Sequence, residues 1–237
     1  MTETEPLSLD LYLSPEHACN YLPQRMARTA FIDPRHTPDT RLYSLLAAHG
    51  FRRSGMHVYR PHCAACQACI PLRVPVAEFQ PDRTQKRLLR RNQDLAIRIA
   101  PAEFAPEHFA LYRRYLTARH PGGGMDEAGE TEYRQFLFSS WGRSWLVEMR
   151  SAAGLAAVAI VDELDEALSA VYTFYDPSLP RRSLGTYAVL WQIAEARRRG
   201  LKWLYLGYWI AESRKMAYKN RFRPFEQLDA AGWQRHA

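Results

Sequence analysis

The sequence predicts an α+β protein, with a mixed-sheet domain over residues 101–237 preceded by a smaller α/β domain over residues 1–100. Three observations carry this. Strand-like runs at 144–150, 155–164 and 167–175 stand consecutively, then a helical run at 183–199 and another strand at 202–208. Prolines at 101 and 106 bracket a change of pattern that reads as a boundary. The chain of 237 residues is 47% hydrophobic, enough for a real core and too much for wholesale disorder.

The elements follow from local signals. Residues 15–21 read as a short helix. Residues 38–49 read as a helix, with Leu42, Leu45 and Leu46 on one face and Gly50 as the stop. Residues 51–60 and 70–79 read as strands flanking a group of cysteines. Pro71 and Pro75 make the second an edge or irregular strand, because proline cannot donate to the ladder. Asp82 can cap a basic helix running to about Asn92. Residues 106–119 place Phe109, Tyr112 and Leu116 in helical register. His120-Pro121-Gly122-Gly123-Gly124 reads as a flexible loop, and 130–139 as a helix. Gly200 ends the 183–199 helix, and residues 212–219 form a last short one. Three strands, a helix and a further strand match the core order of N-acetyltransferase-like (GNAT-type) folds. That is a fold-level analogy and assigns no activity.

The formal net charge is +7 and the pI about 9.4. Such an excess favours nucleic acid, acidic membrane surfaces or acidic protein substrates. Residues 1–10 are acidic and lack the apolar core of a secretion signal. No stretch approaches the roughly 20 apolar residues of a membrane helix. The expectation is a cytosolic protein without a membrane partner, in which thiols stay reduced and clustered cysteines point to metal or redox work.

Cys63, Cys66 and Cys69 are spaced by three, and Cys19 is the only other cysteine. Two residues between cysteines let both sulfurs turn toward one ion. Cys19 or His62 would supply a fourth ligand, for zinc or an iron–sulfur cluster. The alternative is a group of small, partly buried thiols with no metal. A basic run follows: Arg73, Arg83, Lys86, Arg87, Arg90 and Arg91.

Coenzyme A-dependent N-acetyltransferases cradle pyrophosphate on a loop of the form (Arg/Gln)-x-x-Gly-x-(Gly/Ala) at a helix N-terminus. Here the run is Arg182-Ser183-Leu184-Gly185-Thr186-Tyr187. Arg182 and Gly185 fit, whereas the Tyr187 ring would crowd the phosphate. The plainer reading has Ser183 capping the helix and Gly185 allowing close packing. Towards the C-terminus, Trp203, Tyr205, Tyr208, Trp209, Tyr218, Phe222 and Phe225 interleave with Arg214, Lys215, Lys219, Arg221 and Arg223. Rings stack on unpaired bases while cations neutralise phosphates, which suits a single-stranded 3′ end. For Trp203 and Tyr205 a plain buried strand is the simpler reading.

Three blocks together resemble a known family. They are Cys63-x-x-Cys66-x-x-Cys69-x-Pro71-x-Arg73-Val74 with Phe79-x-Pro81; Tyr175-Asp176-Pro177 with Ser183-Leu184-Gly185-x-Tyr187; and Leu206-Gly207-Tyr208-Trp209-Ile210 with Lys215-Met216-x-Tyr218-Lys219 and Arg223-Pro224. They resemble the arginyltransferase-like aminoacyl-tRNA–protein transferases of the N-degron pathway, from about Asp10 to Leu228. The compact length and Cys19-Asn20-Tyr21-Leu22-Pro23 resemble its bacterial branch. That branch transfers leucine from leucyl-tRNA to proteins beginning with Asp or Glu; the eukaryotic branch transfers arginine. Leucine over arginine rests on this resemblance alone.

The implied reaction is aminolysis of an ester. The acceptor α-amine, with a reference pKa of about 8, attacks the aminoacyl carbonyl and the ribose hydroxyl leaves. The donor is already activated, so positioning, a proton acceptor and oxyanion stabilisation suffice. No cofactor is required for this chemistry, and a zinc ion or iron–sulfur cluster on Cys19, Cys63, Cys66 and Cys69 would be structural or regulatory. Asp176 is the candidate for holding the acceptor ammonium or taking its proton, against a reading as a turn-forming Asp-Pro. His120 is a second candidate base, and Ser183 with the Gly185 backbone would stabilise the oxyanion. Arg73, Arg83, Lys215 and Arg223 are candidates for the acidic acceptor side chain. Tyr187, Tyr208, Tyr218 and Lys219 complete the substrate-binding set, and Lys86, Arg87, Arg90 and Arg91 would track tRNA phosphates. Two rival readings are an acetyl-coenzyme A N-acetyltransferase, which Tyr187 opposes, and a non-enzymatic RNA-binding or metal-sensing module.

Overall fold

The computed structural model describes residues 9–119 and 129–237. In chain order the strands are β1 (Leu11–Leu13), β2 (His17–Ala18), β3 (Met26–Ala27), β4 (Thr29–Ile32), β5 (Arg52–Ser54), β6 (His57–Pro61), β7 (Ile70–Pro75), β8 (Ala96–Pro101), β9 (Arg143–Ser151), β10 (Gly154–Glu163), β11 (Ala167–Tyr175), β12 (Trp203–Trp209), β13 (Phe225–Asp229) and β14 (Gly232–His236). The helices are α1 (Thr40–Ala48), α2 (Arg83–Arg91), α3 (Pro106–Arg119), α4 (Glu130–Leu137) and α5 (Leu184–Arg198), with single 3₁₀ turns at Pro180–Arg182 and Ala217–Arg221. An eight-stranded mixed sheet runs β14-β13-β7-β12-β11-β10-β9-β8. A four-stranded sheet runs β1-β4-β6-β5.

β10 is buried along nearly its whole length because both faces of the large sheet are covered. Its side chains alternate between two cores. Ala157, Ala159 and Val161 join Leu184, Ala188, Leu190 and Ile193 of α5. Val158 and Ile160 face Leu111, Tyr112 and Leu116 of α3 and Tyr133 and Leu137 of α4. A third core, including Ile32, Tyr43, Leu46 and Tyr205, joins the small sheet and α1 to the large one. Asp39 caps α1 by accepting from the Leu42 N–H at 2.7 Å. Asp82 and Gln85 form a reciprocal capping box on α2, satisfying two otherwise orphaned N–H groups.

The consecutive strands, α5 and β12 stand where the sequence placed them. Other expectations are corrected. Residues 15–21 contain the two-residue strand β2 and no helix. Residues 51–60 form two strands, β5 and β6, turning at Gly55 with φ +56°. β7 is interior, between β13 and β12, despite its prolines. It tolerates them because β13 pairs only with Leu72 and Arg73, leaving Pro71 and Pro75 outside that ladder. β8 and the β13–β14 hairpin appear where no strand was expected. A division at residue 100 does not separate two sheets: β7 and β8 both belong to the large one, and Leu72, Val74 and Val76 lie in the core with α5.

One buried ion pair fastens the small sheet to the large one. Arg53 on β5 donates from Nε and Nη2 to the two oxygens of Asp162 on β10, both at 2.6 Å. Their side chains are 0% and 3% exposed. Arg53 also donates to the Leu137 carbonyl at 2.9 Å, and Ser144 donates to Asp162 at 2.6 Å. Removing one partner strands a buried charge. Asp162→Ala is expected to lower stability by about 3–5 kcal/mol in urea denaturation, far more than removal of an exposed pair such as Glu130 with Arg134.

Candidate active site

The site is built around a split in the large sheet. β11 and β12 are parallel and pair over only three positions, ending at Ser169 opposite Tyr205. Beyond this point each strand keeps its outer partner, β10 or β7, and the two separate. Separation leaves backbone carbonyls without a ladder, and two cations take them. Arg52 on β5 donates to the Ala170 carbonyl at 2.6 Å and to Ser169 Oγ at 2.9 Å. Lys219 Nζ donates to the Tyr208 carbonyl at 2.8 Å. Gly207, at φ +76°, makes room: a Cβ there would lie 3.3 Å from Arg52 Nε. Both cations are buried, and among the described residues no carboxylate stands within ion-pair distance of either. Burial, then the Arg52 charge, brings the Lys219 ammonium down to about 7.

The mouth of the split lies at the C-terminal end of β11. Asp176 Oδ1 accepts from the Ser178 N–H at 2.9 Å and from its hydroxyl at 2.7 Å, and Oδ2 stands 4.0 Å from Arg114. Burial pushes this carboxyl up, but the Ser178 hydrogen bonds and Arg114 hold it below the ordinary value. Oδ1 therefore serves the turn, while Oδ2 faces Arg114. Arg119 donates to the Tyr175 hydroxyl at 2.8 Å, and Tyr115 packs edge-on to Tyr175 at 4.9 Å. At Gly185 a Cβ would come within 3.2 Å of Tyr175 Cε1, so the start of α5 meets β11 closely because residue 185 has no side chain. Ser183 is left-handed (φ +45°) and does not cap α5 with its hydroxyl, contrary to the plainer sequence reading. The loop before it is held by the end of α2. Asn92 donates to the Arg182 carbonyl, Arg91 to that of Arg181, and Arg182 binds Asp94 through two hydrogen bonds.

A groove of about 270 Å³ runs past the start of α5, lined by Arg87 and Arg91 of α2, by Ser183 and Thr186, and by Tyr218 and Arg221. Arg83, Lys86, Arg87, Arg90 and Arg91 are exposed, and among the described residues none has an acidic partner. A basic helix face, an aromatic ring and a helix N-terminus thus meet in one channel.

The family descriptions "Arginine-tRNA-protein transferase, N terminus" and "Arginine-tRNA-protein transferase, C terminus" match residues 17–87 and 107–229. The chain belongs to this family. It is 51% identical to a protein of Thiobacillus denitrificans named aspartate/glutamate leucyltransferase, over 99% of this chain and 98% of that one. It is 50% identical to a protein of the same name from Marinobacter nauticus, over 95% of each. Among solved structures, the C-terminal DUF2156 domain of an Agrobacterium fabrum protein aligns with TM-score 0.46 and 15% identity, over 69% of this chain and 50% of that chain, so this chain spans half of its length.

In this family member the expected site residues divide. Gly185 lies against Tyr175, the residue before Asp176, while Ser183 and Tyr218 line the groove. Arg73 does not join them. It is paired with Glu226 at 2.6 Å and lies over the rings of Trp203 and Trp233, at 4.0 and 4.1 Å, so its charge is already used. Tyr187 is buried in the α5 core, and Tyr208 donates internally to the Gly50 carbonyl, so neither ring offers a stacking face. Lys215 and Arg223 are exposed, with Arg223 beside Phe225. His120 and the glycine loop lie outside the described residues. Arg52 was missed because the sequence shows only two adjacent arginines in a strand, and nothing local says which one lacks a counter-charge.

The four thiols are electrostatic neighbours. Burial first, then Cys19, Cys63 and Cys66, pushes the Cys69 thiol up to about 12. Cys66 is shifted the other way, by the Ala68 N–H and by Arg25, whose Nη1 stands 3.1 Å from the sulfur. Among the described residues no three His, Cys, Asp or Glu side chains stand close enough as placed to hold a metal. In metal-free protein, Cys66 should be alkylated fastest by iodoacetamide and Cys69 slowest, as read by mass mapping. Arg25→Ala should slow Cys66 several-fold by restoring its thiol.

Proposed function

We propose that this chain transfers leucine from leucyl-tRNA to the α-amine of proteins beginning with Asp or Glu. The observation that carries this is about 50% identity, over 95% or more of both chains, to proteins named aspartate/glutamate leucyltransferase. The site supports it. The basic groove from α2 to Tyr218 suits the 3′ end of an RNA, because cations there are unpaired and a ring is at hand. Ser183 and Thr186 line it at the start of α5, whose first N–H groups have no intrahelical partner and suit a developing oxyanion. The mixed sheet, with its early-ending β11–β12 pair and α5 crossing between them, supports the acetyltransferase-like reading of the scaffold. The buried Tyr187 fills the place where a coenzyme A cradle needs a small residue.

In the reaction, Asp176 Oδ2 holds the acceptor ammonium and assists loss of one proton. The amine nitrogen bonds to the ester carbon, the oxyanion forms at the α5 N-terminus, and the bond to the ribose oxygen breaks as that oxygen is protonated. The products are the amide, the free tRNA hydroxyl and one released proton. No cofactor enters. A structural or regulatory zinc or iron–sulfur group on Cys19, Cys63, Cys66 and Cys69 would require the loop to draw the thiols closer, and stands outside these steps. No helix among the described residues is long and apolar enough to cross a membrane. The cytoplasm, where charged tRNA is available, is the proposed location.

Offered a mixture of charged tRNAs and peptides differing only at residue one, the protein should modify Asp and Glu peptides with leucine, read by mass spectrometry. Transfer of arginine would overturn the donor assignment. Replacing Lys86, Arg87, Arg90 and Arg91 with alanine should weaken tRNA binding and flatten its log–log salt slope by about 0.7–0.9 for each phosphate no longer neutralised. Asp176→Asn keeps an oxygen for the Ser178 turn, so the fold should hold while kcat falls about 100-fold with tRNA affinity unchanged. Unaltered kcat would remove Asp176 from the chemistry.

A further inference from the structure

Arg52 and Lys219 come from distant parts of the chain, 167 positions apart (219 − 52), yet lie in the same split between β11 and β12. Each binds a carbonyl on one of the two separated strands: Ala170 on β11 and Tyr208 on β12. Arg52 is 8% exposed and Lys219 9%. A buried cation is normally paired with a carboxylate, as Arg53 is with Asp162. Among the described residues these two are not, and their bonds go only to neutral oxygens. Burial beside Arg52 already disfavours the Lys219 charge, and its titratable neighbour Cys69 is itself held as a neutral thiol, so a carboxylate brought to the pair would supply the missing counter-charge.

Resting on the transferase reading above, we propose that Arg52 and Lys219 form the receptor for the acceptor's first side-chain carboxylate and so set the requirement for Asp or Glu. The strand pairing agrees with this. The β11–β12 ladder ends at Ser169 and Tyr205, and both cations bind carbonyls just beyond it, Arg52 on Ala170 and Lys219 on Tyr208, while Asp176 follows at the end of β11. An N-terminal acidic residue would set its side-chain carboxylate on the cations and its ammonium towards Asp176, with charge-assisted hydrogen bonds at both ends. The flexible four-carbon stem of lysine accommodates the one-methylene difference between Asp and Glu. A neutral Gln or Asn leaves both cations uncompensated, which gives discrimination as well as affinity.

The test compares peptides beginning with Glu and Gln by calorimetry, with leucyl-tRNA binding measured separately by filter retention. Wild-type protein should bind the Glu peptide at least tenfold more tightly. Lys219→Met should weaken the Glu peptide about ten- to hundredfold, leave the Gln peptide within about twofold, and leave leucyl-tRNA affinity unchanged. Lys219→Arg should restore most of the preference, which a merely structural role would not require. Arg52→Gln, which can still donate to the Ala170 carbonyl, should act in the same direction. If both Lys219→Met and Arg52→Gln keep the full Glu-over-Gln ratio, the proposal is wrong. Peptide binding reads this pocket, and turnover with leucyl-tRNA reads the transferase assignment, so either can fail alone.

Discussion

Two adjacent buried arginines on β5 organise this molecule. Successive side chains of a strand point to opposite sides, so Arg52 and Arg53 serve different partners. Arg53 closes a two-oxygen ion pair with Asp162 of β10, and that pair seats the small sheet against the large one. Seating β5 there delivers Arg52 into the opening between β11 and β12. One charge is neutralised within the fold, and its neighbour is buried against neutral oxygens of β11. Without the Arg53 anchor, the Arg52 guanidinium would have no fixed address.

The opening itself follows from strand pairing. β11 and β12 are held together for three residues, and the Gly207 irregularity lets β12 follow β7 instead. A parted pair of strands exposes backbone polar groups, which must be satisfied or solvated. Here cations satisfy them, and the same cations create a positive floor. Asp176 stands at the rim with the opposite charge. The α5 N-terminus reaches the rim because Gly185 can lie against Tyr175, and the end of α2 is tied to the loop before α5 through Asn92 and Arg182. The basic face of α2 therefore ends beside the start of α5. For an ester that is already activated, holding two substrates and an incipient oxyanion in line is most of the catalytic task.

Much of the larger domain was legible because its signals are local. The 167–175 strand and the 106–119 helix match the observed bounds, since long periodic segments bury one face and show it in the pattern. Asp82 as a cap on a basic helix was legible for the same reason, and the structure adds the reciprocal Gln85. The failures share another cause. Pro71 and Pro75 argued for an edge or irregular strand; β7 is interior, but its ladder with β12 shifts register and β13 pairs with it over two residues only. β8 is a half-exposed strand with no clean alternation, and Glu148 pins it by accepting from Arg98 on β8 and from His108 on α3. Such support is long-range and leaves no mark in a local window.

By itself the sequence determined the run β9, β10, β11, α5 and β12, the capped basic helix and the cysteine spacing, because each is set by neighbours within a few residues. Only the tertiary structure decided which cations are spoken for. Arg73 is consumed by Glu226 and two tryptophans, and Arg53 by Asp162, while among the described residues Arg52 and Lys219 have no carboxylate partner. A charge's availability depends on what folds against it from a hundred residues away. Composition counts charges; packing alone assigns their partners.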